Sequence, residues 1–117
     1  MKKLLVIIFF YLTFHTNTFA DTYEIEDVEK LGFKKESQQF FQIVGAIDGW
    51  GGKLENESVE VYEYQKLGDP NIDTAKTMFN NILKGENSSN WKELCIKNNI
   101  LLISKGTNAC KKLNELK

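Results

Sequence analysis

Two cysteines, Cys95 and Cys110, constrain the fold of this 117-residue chain more than any other feature, because they are its only cysteines. An even number of cysteines in an exported protein indicates a disulfide bond. Closing a loop of about 15 residues would stabilise the fold by about 3 kcal/mol in the chain-entropy account. A free catalytic thiol is the poorer interpretation, since no histidine after residue 20 could activate it.

The first twenty residues have the layout of a secretory signal peptide. Two lysines precede an apolar run over residues 4–14, and the small residues Thr18 and Ala20 stand before an acidic stretch. The apolar run is too short for a membrane-spanning helix, which needs about 20 residues. We expect residues 1–20 to be removed near Ala20, leaving residues 21–117 as one small domain without a transmembrane span, periplasmic or secreted. Retention of the segment as an anchor is the alternative.

Charge and missing residue types narrow the classes of function. Once Lys2 and Lys3 are assigned to the signal peptide, 13 lysines stand against 16 acidic residues, a formal charge of −3. Without a concentrated basic patch, binding to nucleic acid or to an acidic membrane is disfavoured. The chain has no arginine, and its only histidine is His15. The commonest metal ligand and the bidentate phosphate clamp are therefore missing from residues 21–117, and we expect no metal and no cofactor.

Hydrophobic periodicity predicts an α+β domain. Residues 58–65 alternate between apolar and polar as a half-buried strand does, and residues 91–106 indicate a β-hairpin that turns at Asn98 and Asn99. Residues 69–85 carry the signals of a helix: an aspartate that can cap it, a proline at its first position and a glycine after its last turn. Thr107 would cap a last helix.

Two parts of the chain resemble each other at a spacing of 41 residues. The spacing relates three pairs: Trp50 with Trp91, Val59 with Ile100, and Val61 with Leu102. This favours two helix-plus-hairpin units, forming an antiparallel sheet of about four strands with helices packed mainly on one side. Chance similarity within an α+β domain is the alternative.

Two segments between these elements are harder to assign. Residues 37–47 place Phe40, Phe41, Val44 and Ile47 on one face of a predicted helix, although a buried strand fits so short a run as well. Residues 100–103 are apolar on both faces of a strand. Either a helix over residues 23–31 or another protein must cover the second face, which Tyr62 and Tyr64 would share as a contact surface.

The glycine-rich stretch before the 58–65 strand is not a phosphate-binding loop. A P-loop needs a glycine five residues before that of Gly52-Lys53 and a serine or threonine after the lysine, but these positions hold Ile47 and Leu54. A dinucleotide-binding loop would need a third glycine, also at position 54. A turn into a hairpin is the simplest interpretation. The functional alternative places Trp50, beside Asp48, on an exposed loop as a contact for a protein or a sugar.

Residues 69–73, Asp-Pro-Asn-Ile-Asp, resemble the start of a calcium-binding loop. The sixth position, which should be glycine, is Thr74, and the twelfth, which should be glutamate, is Asn80. Helix capping by Asp69 explains the same residues without a metal.

Carboxylates are the only catalytic groups that the composition leaves open. Glycoside hydrolysis needs two acids that flank a bond in a cleft. Glu60 and Glu63 point to opposite faces of their strand, so they cannot form such a pair with each other. We therefore expect no catalytic residues and no enzymatic activity.

These observations lead to the hypothesis of an exported, non-catalytic binding protein of the cell envelope or extracellular space, such as an inhibitor or accessory subunit. Its partner would be another protein, and a homodimer is left open. The predicted binding residues are Asp48, Trp50, Tyr62 and Tyr64. A glycan- or ligand-binding module that uses Trp50 as a stacking platform is the alternative, and a carboxylate hydrolase is the third.

Overall fold

The computed structural model describes residues 22–85 and 90–117, so the predicted signal peptide lies outside the described residues. Within these described residues, five strands and three α-helices follow one another, with a 3-10 helix between the first two strands. In chain order they are α1 (Ile25–Glu29), β1 (Lys34–Gln38), the 3-10 helix (Phe41–Val44), β2 (Asp48–Leu54), β3 (Glu57–Glu63), α2 (Pro70–Lys84), β4 (Glu93–Lys97), β5 (Ile100–Ser104) and α3 (Asn108–Leu113).

The strands form one antiparallel sheet in the order β1-β2-β3-β5-β4. Strands β2 and β3 make one hairpin, which turns at Glu55 and Asn56 with φ angles of 53° and 61°. Strands β4 and β5 make the second hairpin, which turns at the predicted asparagines. The hairpins meet where β3 pairs with β5, with Val61 opposite Leu102. Each hairpin follows a helical segment, but the first of these is a short 3-10 helix and not the helix that the spacing of 41 residues predicted.

Both faces of the sheet are covered by helices. Along β5, Ile100 and Leu102 belong to a core with α1 and α3, whereas Leu101 and Ile103 belong to a core with the 3-10 helix and α2. All four side chains are at most 1% exposed. The predicted α+β class is confirmed, but the sheet has five strands where about four were expected, and helices cover both faces where mainly one was expected. The apolar character of β5 on both sides is the physical reason, since each face must be shielded from water.

The segment over residues 37–47 is not the predicted helix. Strand β1 ends at Gln38, and the 3-10 helix ends at Gly45 in a left-handed conformation with φ of 72°. Strand β1 lies against the glycine-rich strand β2, where a Cβ on Gly52 would come 2.0 Å from the carbonyl oxygen of Lys34. The glycines therefore belong to a strand that a neighbouring backbone approaches closely, and not to a loop.

Helix α2 begins and ends as predicted. The side chain of Asp69 accepts a hydrogen bond from the Asn71 N–H at 3.0 Å, Pro70 is the first helical residue, and Gly85 follows the last turn.

Among the described residues, no helix is both long and apolar enough to cross a membrane.

The predicted disulfide joins Cys95 on β4 to Cys110 on α3, with 5.8 Å between their Cα atoms.

The N-terminus of α3 is capped by a side chain from β3. The carboxylate of Glu57 accepts hydrogen bonds from the N–H groups of Asn108 and Ala109, both at 2.8 Å. Thr107 stands at the predicted cap position, but its side chain makes no capping hydrogen bond.

Candidate functional site

Trp50 lies on strand β2 and not on a loop. Its half-buried ring packs against the core formed with α1 and α3. The ammonium nitrogen of Lys35 lies 4.5 Å from the ring centroid, and the same nitrogen is 3.6 Å from the carboxylate of Glu29. One side of the indole therefore packs on the core while a cation lies over its face. A stacking platform for a sugar needs an open ring face, which this arrangement does not offer.

Asp48 is the first residue of β2 and is half-buried. Its Oδ1 atom accepts hydrogen bonds from the Gly49 N–H at 2.9 Å and from the side-chain amide of Gln38 at 3.3 Å. Across the sheet it stands opposite Glu63. The carboxylate thus helps to hold the end of β1 against the start of β2.

Tyr62 and Tyr64 are buried beneath the 3-10 helix and α2, so their expected place on an exposed face of the sheet is wrong. The Tyr62 hydroxyl donates to Glu60 Oε1 at 2.7 Å, and its ring centroid is 5.8 Å from that of Phe79. The Tyr64 hydroxyl donates to the carbonyl oxygen of Val44 at 2.9 Å. Burial, helped by the charge of Asp69, raises the pKa of Tyr64 to about 12. The pKa of Tyr62 is raised further, by burial and then by Glu60. Both tyrosines stay neutral at physiological pH and act as core residues.

The four predicted binding residues do not form one surface. Trp50 faces the first core and the tyrosines face the second, on the opposite side of the sheet. Position 49, between Asp48 and Trp50, requires a glycine, because a Cβ there would lie 2.6 Å from the ring of Tyr62.

Four apolar side chains are exposed on the two connections at the end of the sheet where β2 begins and β3 ends. We name this set the apolar end patch and define it by Phe40, Ile43, Ile47 and Leu67, which are 81%, 75%, 48% and 52% exposed. Three of them lie on the connection between β1 and β2, and Leu67 lies on the loop between β3 and α2.

Backbone contacts hold these two connections together. The Ile47 N–H donates to the Glu63 carbonyl at 2.8 Å, at the end of β3. Gly45 lies so close to the first turn of α2 that a Cβ on it would be 2.8 Å from the side chain of Asn71. The Tyr64 hydroxyl bond to Val44 fixes the 3-10 helix that carries Ile43. The patch is therefore presented by a fixed scaffold.

The residues next to the patch along the chain are mostly uncharged. They include Gln38, Gln39, Gln42 and Gln65, with one cation on Lys66 and one acid, Asp48, directly after Ile47. Neutral amides can both donate and accept hydrogen bonds. An apolar centre with a polar rim is the usual composition of a protein interface.

An acidic group lies beside this end of the sheet, around Glu63. Burial raises the pKa of Glu63, and the nearby charges of Asp48, Glu24 and Glu26 raise it too, while a hydrogen bond from the Ile25 N–H opposes them. Within residues 22–85 and 90–117, no three metal-ligating side chains come together, and no pocket is found. The Glu63 carboxylate lies against the start of α1, where it accepts a hydrogen bond from the Ile25 N–H at 3.0 Å.

The helical pattern over residues 37–47 did not indicate the apolar end patch, because it places Phe40 and Ile47 together on one face of a predicted helix. A usable signal was present. Residues 38–47 hold more large apolar residues than one short segment can bury; two glutamines precede these residues and a third, Gln42, lies among them. A strand covered on one face only would bury every second residue of such a run.

Comparisons of the chain with protein-family models, with curated proteins and with solved structures give no match, so the functional argument depends on this chain's own surface.

Proposed function

We propose that this protein is an exported, non-catalytic domain that binds another protein through the apolar end patch. The observation that carries the proposal is the exposure of Phe40 and Ile43, which leave 81% and 75% of their surface in water although the scaffold beneath them is fixed. The largest apolar patch on the surface of a monomeric protein is often a site of interaction.

The size of the patch supports a protein contact. Its four side chains expose roughly 400–500 Å², comparable to the largest patches found on monomers. Burying that area would contribute on the order of 10 kcal/mol, which about offsets the loss of translational and rotational freedom on association. A stable complex would therefore also use hydrogen bonds, which the glutamines around the patch can supply.

Two observations favour a protein over a sugar or a small ligand. The face of Trp50 lies under Lys35, and no pocket is found in the described part of the chain. Small-ligand sites are concave and bury most of the ligand. A projecting apolar surface fits a protein groove better, in the manner of an inhibitor or an accessory subunit.

The disulfide between Cys95 and Cys110 fits a periplasmic or extracellular location, because such bonds persist in oxidising compartments. The lysine-flanked apolar segment at the N-terminus fits the same location. The partner would accordingly be a protein of the envelope or of the extracellular space.

A capture experiment tests the proposal. The full chain is expressed so that its natural processing is retained, and the purified, oxidised protein is used to capture partners from the native envelope and culture fluid. The test variant is Phe40→Ser combined with Ile43→Ser. The matched control is Ile82→Ser, because Ile82 is 39% exposed but lies eleven residues along α2 from Asn71, a rise of about 16 Å.

A saturable protein that binds the wild type and the control but not the double variant is the expected result. Equal capture by all three proteins would show that the patch is not the binding surface. A tryptophan fluorescence change with saccharides that Trp50→Ala removes would instead favour the glycan-binding alternative.

A further inference from the structure

The two edges of the sheet are protected to different degrees. Strand β1 carries Lys34, Lys35 and Glu36 in succession, and its register against β2 shifts between Lys35 and Ser37, which marks a bulge at Glu36. Charges and bulges prevent an edge from pairing with another strand. Strand β4, at the other edge, pairs in unbroken register with β5, and its centre is Leu94-Cys95-Ile96.

The outer side of β4 presents free backbone groups. On β5, the Asn99 carbonyl accepts from the Tyr64 N–H, and the Lys105 N–H donates to the Ser58 carbonyl, so odd-numbered residues bond to β3. Because hydrogen-bonding direction alternates along a strand, even-numbered residues of β5 bond to β4. Their partners are Glu93, Cys95 and Lys97. The N–H and C=O groups of Leu94 and Ile96 therefore point outward, and no described strand pairs with them.

The sequence of β4 is complementary to itself. In an antiparallel pair centred on Cys95, Glu93 stands opposite Lys97 of a second copy, and Leu94 stands opposite Ile96. In no other register do both Glu93 and Lys97 face a residue of the opposite charge. From this we infer that the protein forms a two-fold dimer in which β4 pairs with β4 of a second copy, joining the two sheets into one of ten strands.

The charge of Glu93 would also be compensated in the dimer. Its Oε1 atom is buried by its own chain and has no hydrogen-bond partner in the described part of the chain. Buried carboxylate oxygens without partners are costly and uncommon. The ammonium group of Lys97 of the second copy would not bond to this covered oxygen, but its positive charge would offset that of the carboxylate.

Apolar side chains beside the edge would also gain cover. Three partly buried residues that pack against the core beneath α2 lie on β4 or just before it: Trp91, Leu94 and Ile96. The pairing would extend this core across the two-fold axis. Cys95 is bonded to Cys110 within its own chain, so the dimer is not covalent. Strands β3 and β5 separate β4 from β2, which leaves the apolar end patch free in the dimer.

A charge-swap experiment tests the dimer. The molar mass of the oxidised protein, expressed from the full chain, is followed by sedimentation equilibrium over a wide range of concentration. Wild type is expected to dimerise. Glu93→Lys and Lys97→Glu should each weaken dimerisation about tenfold, because each places two pairs of like charges across the axis. The double variant Glu93→Lys with Lys97→Glu should recover wild-type affinity, because it restores both opposite-charge pairs.

The matched control is Glu36→Lys, which makes the same charge change on the other edge and should leave dimerisation unaltered. Far-UV circular dichroism confirms that each variant is folded. A wild type that stays monomeric at all concentrations overturns the inference, and so does a double variant as weak as the single ones. A dimer that Phe40→Ser with Ile43→Ser abolishes would also overturn it, and would assign self-association to the apolar end patch. Since the capture experiment uses that patch and this one uses β4, either result stands without the other.

Discussion

The side-chain amide of Asn99 brackets the backbone of Tyr23. Its Oδ1 atom accepts from the Tyr23 N–H at 2.7 Å, and its Nδ2 atom donates to the Tyr23 carbonyl at 2.8 Å. The same Nδ2 donates to the Tyr64 carbonyl, also at 2.8 Å. Asn99 is 1% exposed, so these bonds are shielded from water. A residue at the turn of a hairpin thereby fastens the first described segment of the chain to the sheet.

Replacing Asn99 should therefore destabilise the whole fold. Asn99→Ala removes three hydrogen bonds and leaves backbone groups of Tyr23 and Tyr64 unpaired in a buried site, which we expect to cost about 3 kcal/mol. Chemical denaturation monitored by circular dichroism measures this loss. The matched control is Asn81→Ala on the exposed side of α2, expected to change stability by less than about 0.5 kcal/mol. Equal effects of the two substitutions would contradict the role assigned to Asn99.

Protonation of Glu57 should make the protein less stable in acid. Burial raises its pKa, but hydrogen bonds from the N–H groups of Ala109 and Asn108 and from the Ser104 hydroxyl outweigh burial and lower it below its usual range. A carboxyl whose pKa is lowered by folding stabilises the protein above the pKa of the unfolded chain, and this contribution is lost as pH falls through the folded pKa. Glu57→Gln should cost about 1 kcal/mol at neutral pH, as the loss of a helix cap does. Stability curves of variant and wild type should converge in acid, and a constant difference would contradict this.

Glu63 should have the opposite effect on the pH dependence. Burial and the charges of Asp48, Glu24 and Glu26 raise its pKa, so the folded state holds its proton more tightly than the unfolded chain does. Its contribution to stability is present below the unfolded pKa and is lost as pH rises through the folded pKa. In Glu63→Gln this loss should disappear, so the stability of the variant relative to wild type should rise as pH goes from acid to neutral. Thermal unfolding at a series of pH values checks this, and a variant that loses stability relative to wild type as pH rises would refute it.

The disulfide should contribute a stability that reduction removes. Cys95→Ala with Cys110→Ala should lower the free energy of unfolding by about 3 kcal/mol, since the bond closes a loop of 15 residues. Reductant should destabilise the wild type to a similar extent and leave the variant unchanged. If reductant destabilised both proteins equally, the effect would not come from this bond.

Local signals in the sequence predicted those parts of the fold that depend on neighbouring residues. Helix α2 has its cap, its proline and its final glycine within one segment, and the second hairpin turns at the predicted asparagines. The pairing of Cys95 with Cys110 followed from the number of cysteines, because the chain has only these two. Contacts between distant residues were not predictable in this way. Glu57 caps a helix that begins 51 residues later, and no local pattern indicates it.

The candidate site was harder to predict than the fold, because exposure depends on which elements cover which face. Tyr62 looks like a surface residue while only its own strand is considered, and it becomes a core residue once α2 lies over it. Phe40 was mistaken for a core residue for the converse reason. A helix over residues 37–47 would have buried it, whereas a strand followed by a 3-10 helix leaves it in water.

The glycines of β2 lie in a strand and not in the predicted turn, and Gly52 allows the close approach of β1. A Cβ on Gly52 would lie 2.0 Å from the Lys34 carbonyl oxygen, a fixed backbone atom, so Gly52→Ala must push β1 away from β2. We expect it to cost at least about 3 kcal/mol, the upper range for overpacking. Gly85→Ala is the matched control, since Gly85 has a φ of −72° and a Cβ there would meet only ordinary contacts at 3.5 Å. It should be neutral or slightly stabilising. Hydrogen exchange locates the damage: protection should be lost first along β1 in Gly52→Ala, and a variant with intact β1 protection would show that the strands do not pack as described.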